Sequence, residues 1–115
     1  MNGTPAERRQ TIVSAVVDAR QADDPVRFTA EAGNVVYDDR TLRLEVDADE
    51  RERLESLLEE YHVFKLQQPE TRKADAGVVY LSAVTDPKHA ADFVEALFRE
   101  VYDAPTDYRL RVKPG

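Results

Sequence analysis

The chain has no cysteine, no tryptophan, four glycines and one methionine in 115 residues. Without cysteine there is no disulfide framework, no thiolate metal site and no cysteine nucleophile. Gly3, Gly33, Gly77 and Gly115 stand isolated from one another. No glycine-rich phosphate loop can form from them, so nucleotide hydrolysis is not expected. No apolar run approaches the ~20 residues of a membrane helix. The opening MNGTPAERRQ lacks the apolar stretch of a signal peptide. The expectation is one cytoplasmic domain over residues 1–115, without membrane contact.

Lysine and isoleucine are also scarce. Only Lys65, Lys73, Lys88 and Lys113 are lysines, and Ile12 is the one isoleucine. The 16 basic residues face 23 acidic ones, for a formal net charge of -7. The average field of such a chain repels polyanions, which disfavours nucleic acid and anionic membrane as generic partners. Acidic, arginine-over-lysine composition reads as salt-adapted, because surface carboxylates hold hydration when salt screens charge.

What is present is a regular alternation of structural signals. Thr4, Pro5 and Glu7 form a helix start, followed by a stripe of Ile12, Val13, Val16 and Val17 up to Asp23-Asp24-Pro25. Val26, Phe28 and Ala30 alternate with Arg27, Thr29 and Glu31. Ala32-Gly33-Asn34 and Asp38-Asp39-Arg40 read as turns around Val35–Tyr37, and Leu42, Leu44 and Val46 alternate again. Asp47 and Glu50 make a second capping box before Leu54, Leu57, Leu58 and Tyr61. Phe64 and Leu66 have strand period up to Pro69, and residues 70–77 form the longest loop. Val78–Val84 is the most strand-like run. Asp86-Pro87 opens a third helix with Ala90, Val94, Leu97, Phe98 and Val101, widened by Phe93 and Tyr102, until Pro105. Tyr108, Leu110 and Val112 then alternate with Arg109 and Arg111.

This predicts an α+β two-layer sandwich. Residues 41–113 read strand, helix, strand, strand, helix, strand, the ferredoxin-like βαββαβ unit. An N-terminal helix and the 26–37 hairpin are then additions. The same elements also fit a secretion-chaperone-like αβββαββα order, which is the alternative.

The last third resembles a small uncharacterised family found in halophilic archaea. The resemblance lies in a D-P helix start (Asp86, Pro87), a helix with Phe93, Val94, Phe98, Arg99, Val101 and Tyr102, and a strand with Pro105, Asp107, Tyr108, Arg109 and Val112. It implies the salty habitat and brings no activity.

Catalytic signals are absent. His62 and His89 lie in no ligand spacing, and Ser14, Ser56 and Ser82 lie in no nucleophile elbow. Asp23-Asp24 and Asp38-Asp39 are acidic pairs in turns, where aspartate steadies the backbone. The reading leans against an enzyme and expects no catalytic residue, metal site or cofactor.

One constellation follows from strand parity. With Leu42, Leu44, Phe64, Leu66, Val79, Leu81, Tyr108 and Leu110 facing the helices, Arg43, Lys65, Arg109 and Arg111 face away, beside Tyr80, Ser82 and Val84. A ferredoxin-like sheet clusters Arg43, Arg109 and Arg111 near Tyr80, as a candidate ligand-binding set. Guanidiniums grip phosphate or carboxylate, and a ring can stack a base. Glu45 shares the face and pairs with Arg43 or Arg109, and the first helix is a candidate to cover it. A solvated face, a dimer interface and a ligand site are the three readings. RNA-binding sheets of this shape carry an aromatic where this chain has Arg43, which counts against that analogy.

The functional expectation is a non-enzymatic interaction or regulatory module with an unknown protein partner. Phe93, Phe98 and Tyr102 suggest a homodimer through a helix stripe too wide for one sheet. The alternative is a binder of nucleic acid or a small anion through Arg43, Tyr80, Arg109 and Arg111.

Overall fold

A computed structural model describes residues 3–67 and 77–115. Helix α1 spans Pro5–Ala22, followed by strands β1 (Val26–Ala30), β2 (Gly33–Asp38) and β3 (Thr41–Glu45). Helix α2 (Ala48–Glu60), strands β4 (Lys65–Gln67) and β5 (Val78–Ser82), helix α3 (Pro87–Ala96) and strand β6 (Arg111–Pro114) complete the order. Leu97–Val101 continues α3 as a π-helical turn. The expected strand end at Pro69 and loop residues 70–76 lie outside the described residues.

Local chemistry sets the helix starts. Thr4 Oγ1 accepts from the Glu7 backbone N–H at 3.2 Å while Glu7 Oε1 accepts from the Thr4 N–H at 3.3 Å. Asp47 and Glu50 close the same reciprocal pair at 2.8 and 2.9 Å. Each box satisfies two amide donors that a helix start otherwise leaves open. Asp86 accepts from the His89 N–H at 2.8 Å, with Pro87 at the first helical position.

The strands form one antiparallel sheet in the order β4-β5-β3-β2-β1-β6. Two-residue turns join β1 to β2 and β2 to β3. The first turn is Glu31-Ala32, so Gly33 and Asn34 already belong to β2. In the second, Asp39 and Arg40 both have positive φ, which matches the right-handed twist of the flanking strands.

The register lines up two inward rows. Phe28, Val35, Leu44 and Val79 are successive cross-strand neighbours, as are Val26, Tyr37, Leu42 and Leu81. Both rows are buried and join Ile12, Val16, Leu54, Leu57, Phe93 and Val94 in one core. Each such side chain contributes about 1.5–3 kcal/mol on leaving water. Central in that layer is α3, with α1 along it and α2 against its π-helical end. Stacked Phe64 and Phe93, ring centroids 4.0 Å apart, close the core near β4.

The strand order departs from the ferredoxin-like expectation. That unit needs the last strand beside residues 41–45. Here β2 occupies that edge of β3, and β6 pairs with β1 at the rim. The hairpin is therefore the middle of the sheet and not an addition to it. Helix and strand order follows α-βββ-α-ββ-α and then adds β6. The last strand also starts later than expected: Tyr108 and Leu110 are buried, but pairing begins at Arg111. Leu66 is exposed rather than inward-packed, because β4 is a three-residue edge.

Two expectations about the helices resolve in the same way. Ile12 and Val16 of α1 lie in the core shared with α2 and α3, so α1 belongs to the helical layer and leaves the other face uncovered. Phe93 and Phe98 are fully buried and Tyr102 nearly so within one chain. The wide stripe that suggested a dimer is consumed by α1, α2 and the sheet.

Candidate binding face of the sheet

Every described strand residue of outward parity is exposed or half-buried. The charged ones are Arg27, Asp38, Arg43, Glu45, Lys65, Arg111 and Lys113, five basic against two acidic. Helix α2 has the reverse balance. Arg51 and Arg53 stand against Asp49, Glu50, Glu52, Glu55, Glu59 and Glu60. A chain of net charge -7 thus gathers positive charge on its sheet and negative charge on a helix.

The register gives this face a continuous row. Gln67 pairs with Tyr80, Tyr80 with Arg43, Arg43 with Val36, Val36 with Arg27, and Arg27 with Lys113. Neighbouring strands lie about 4.8 Å apart, so Arg43 and Arg27 are separated by about 10 Å across Val36. Both arginines line a shallow cavity of about 200 Å³ with Val36, Asn34, Gly33 and the carboxylate residues Glu45 and Glu50. Two guanidiniums on either side of Val36 can converge on one anionic group, in competition with Glu45 and Glu50 at the same cavity. The Arg43 side chain keeps 41% exposure and meets Glu45 at 3.9 Å, at the outer limit of an ion pair. Such an exposed contact is worth little and yields readily to a stronger anion.

Of the four residues singled out from sequence, Arg43 and Tyr80 are direct cross-strand neighbours. Arg109 and Arg111 are not beside them. They lie at the far rim, about 14 Å from β3 for Arg111, because β2 and β1 intervene. There they line a second groove of about 570 Å³ with Lys113, Thr29, Ala32 and Pro105. Arg27 and Lys113 fill the space between the two halves, and sequence reasoning missed both. Parity alone puts Arg27 outward between Val26 and Phe28. Its place in the middle of the face depends on strand order, which has no local signal. Val84, expected on this face, lies past the end of β5 and is exposed.

The end of the face is fixed by Tyr102. Its hydroxyl donates to the Glu45 carbonyl at 2.7 Å and approaches the Asn34 carbonyl at 3.3 Å. Burial, and secondarily the charge of Glu50, pushes its pKa well above the usual tyrosine value. It stays neutral, as a donor to backbone carbonyls must. The ring lies over Gly33, where a Cβ would come within 2.8 Å of it. Glycine is required there for close approach, and the result is a defined junction between β2, β3 and α3 under Arg43.

A sequence pattern shared across a family of unknown function covers residues 2–114. The chain belongs to that family, DUF7975. The match takes in both capping boxes, the six described strands and all of the outward row. No curated protein and no solved structure matches the chain. Among the described residues of this DUF7975 chain, no three histidine or carboxylate side chains gather as a metal site would require. No described helix is long and apolar enough to cross a membrane.

Proposed function

We propose that the chain is a non-enzymatic interaction module that takes an anionic partner on the open face of its sheet. The observation that carries this reading is the charge partition. All seven charged strand residues among the described residues point outward, five of them basic, in a chain with a large acidic excess. Random placement of 16 basic and 23 acidic residues favours acid on any face. The row Arg43-Val36-Arg27-Lys113 supports the reading further, because it sets donors at regular strand spacing on a rigid support.

The acidic helix layer is the counterpart. We read it as the solvating surface of a protein adapted to salt, in keeping with the arginine-rich, lysine-poor composition. A homodimer that stacks one sheet face on another brings five basic and two acidic strand side chains from each copy into one interface. That excess of like charge opposes the arrangement.

The test is retention on immobilised polyphosphate and polyglutamate, for the native chain and for Arg27→Ala/Arg43→Ala. The native chain is retained and the double variant elutes early. Equal elution of the two proteins on both matrices removes the reading.

A further inference from the structure

We infer that the anion taken by this face is a single strand of nucleic acid, laid across the strands with one base stacked on Tyr80. The inference rests on the binding-face reading above. Three features select this ligand among anions.

The first is extent. From Tyr80 to Lys113 the row crosses five strands, about 19 Å at the usual strand spacing. Arg111 follows beside Thr29 on the same face. A single phosphate or carboxylate can use Arg27 and Arg43 but leaves Lys113 and Arg111 without a role. A chain of regularly repeated charge uses them all.

The second is the aromatic. Tyr80 is half-buried on β5 with Arg43 directly across from it. An acidic peptide or a polyphosphate offers no flat ring to match. A nucleobase does, and a ring with an adjacent guanidinium is a sequence-tolerant platform for an unpaired base. The stack has to be with an unpaired base, since paired bases in a duplex hide their faces. This favours a single strand over a double one.

The third is what lies between the charges. Val36 lies between Arg43 and Arg27, while one row away the Thr29 hydroxyl donates to Asn34 Oδ1 and leaves the Asn34 amide N–H groups as donors. Phosphates reach the arginines and base edges reach the polar pair. The overall charge of -7 slows approach but does not prevent contact. At ~0.15 M salt the screening length is ~8 Å, which mutes distant carboxylates far more than touching guanidiniums.

The experiment is fluorescence anisotropy of a labelled twelve-nucleotide oligouridine with the full chain, in competition with inorganic polyphosphate, over a series of salt concentrations. The expected result is binding that Arg27→Ala/Arg43→Ala weakens for both polymers. The slope of log K against log salt should become shallower by about 1.4, from two lost phosphate contacts at ~0.7 each. Tyr80→Ala narrows the preference for oligouridine over polyphosphate about tenfold, within the ~1–3 kcal/mol range of a stacked base. Tyr80→Leu, which keeps apolar bulk in the strand, does the same, and Lys88→Ala on α3 changes nothing. If polyphosphate binds as tightly as oligouridine and both Tyr80 variants leave that ratio unchanged, the nucleic-acid inference is overturned while the anionic face stands. If neither polymer binds, both readings fall.

Discussion

Arg8 and Glu95 form a closed fork inside the protein. Arg8 Nε donates to Oε1 at 2.9 Å and Nη2 donates to Oε2 at 2.7 Å. Arg8 is wholly buried and Glu95 is 4% exposed. Tyr108 completes the arrangement. Its hydroxyl donates to Glu95 Oε1 at 2.8 Å, its carbonyl accepts from Arg8 Nη1 at 3.0 Å, and its ring lies 3.9 Å under the guanidinium. The hydrogen bonds to Glu95 raise the Arg8 pKa still further above the ordinary value. Helix α1, helix α3 and the segment that leads into β6 meet at this one point.

A buried pair is costly to break singly and cheap to replace whole. Arg8→Ala or Glu95→Ala should each lower stability by about 3–5 kcal/mol, since each strands a charge. Arg8→Met with Glu95→Leu should recover most of that loss. Urea denaturation midpoints decide it: equal losses in the single and double variants would show that packing, not charge pairing, holds the three segments.

Alkali should unfold the protein through its tyrosines. Burial first, then the hydrogen bond to Glu95, pushes the Tyr108 pKa far above 10, and burial does the same for Tyr102. An unfolded tyrosine loses its proton near pH ~10. Above that pH the unfolded state binds fewer protons than the folded one, so stability falls as pH rises. Below pH ~10 the contribution is fully present. Denaturation midpoints measured from pH 8 to pH 11 should drop, and Tyr108→Phe should flatten the drop. An unchanged slope in that variant would exclude Tyr108 as a source.

Acid acts on a different group. The His89 backbone N–H holds the Asp86 carboxyl below its usual pKa. A lowered carboxyl pKa contributes stability above the unfolded value and loses it as pH falls through the folded one. Asp86→Asn should therefore lessen the acid sensitivity of melting near pH 3–4, a window set by the usual aspartate value of ~3.9. Identical acid limbs for the two proteins would show that the cap does not titrate with folding.

Gly33→Ala places a methyl within 2.8 Å of the Tyr102 ring. The ring must shift, and its hydroxyl loses the Glu45 carbonyl. The expected cost is about 1–3 kcal/mol, the usual range for overpacking. Tyr102→Phe should cost about 1 kcal/mol, for one hydrogen bond. Tyr102→Ala in the Gly33→Ala background should remove the added penalty of the methyl. A penalty that persists there would locate the strain in the backbone of β2.

Thermal stability should rise with potassium chloride. Six carboxylates on α2 repel one another, and the screening length shrinks from ~10 Å at 0.1 M to ~3 Å at 1 M. Glu52→Gln with Glu59→Gln should raise the melting temperature at low salt and reduce its rise with salt. A melting temperature independent of salt in the native chain would exclude the repulsion.

The parts of the fold legible in the sequence are those fixed within a few residues. Thr4 with Glu7 and Asp47 with Glu50 form the two boxes that their spacing predicts. Alternation placed Leu42, Leu44, Val79 and Leu81 inward and Arg43 and Tyr80 outward. The partner of the last strand was not legible. Val26 and Phe28 alternate like Leu42 and Leu44, so the pattern around Tyr108–Val112 cannot tell β1 from β3 as a neighbour. That choice moved Arg109 and Arg111 to the rim and Arg27 to the middle. Arg8 was hidden for a related reason. It lies four residues before Ile12 on the buried stripe, and a charge there reads as surface. Only Glu95 and Tyr108, 87 and 100 residues away, make it a core residue.

The π-helical turn at Leu97–Val101 has a consequence for the phase of α3. Tyr102 N–H bonds to the Leu97 carbonyl, five residues back, where an α-helix would reach four. One residue advances an α-helix by about 100° around its axis. The wide turn absorbs one extra residue, so deleting a single residue between 97 and 101 makes the bond from Tyr102 to Leu97 an ordinary α-helical one and leaves Tyr102 near Gly33, whereas tightening the turn without a deletion would swing Tyr102 away. The extra residue is thus taken up in the wide turn, and the two halves of the helix keep their phase across it. The first half is phased to the core through Phe93 and Val94, and the second to the rim of the sheet.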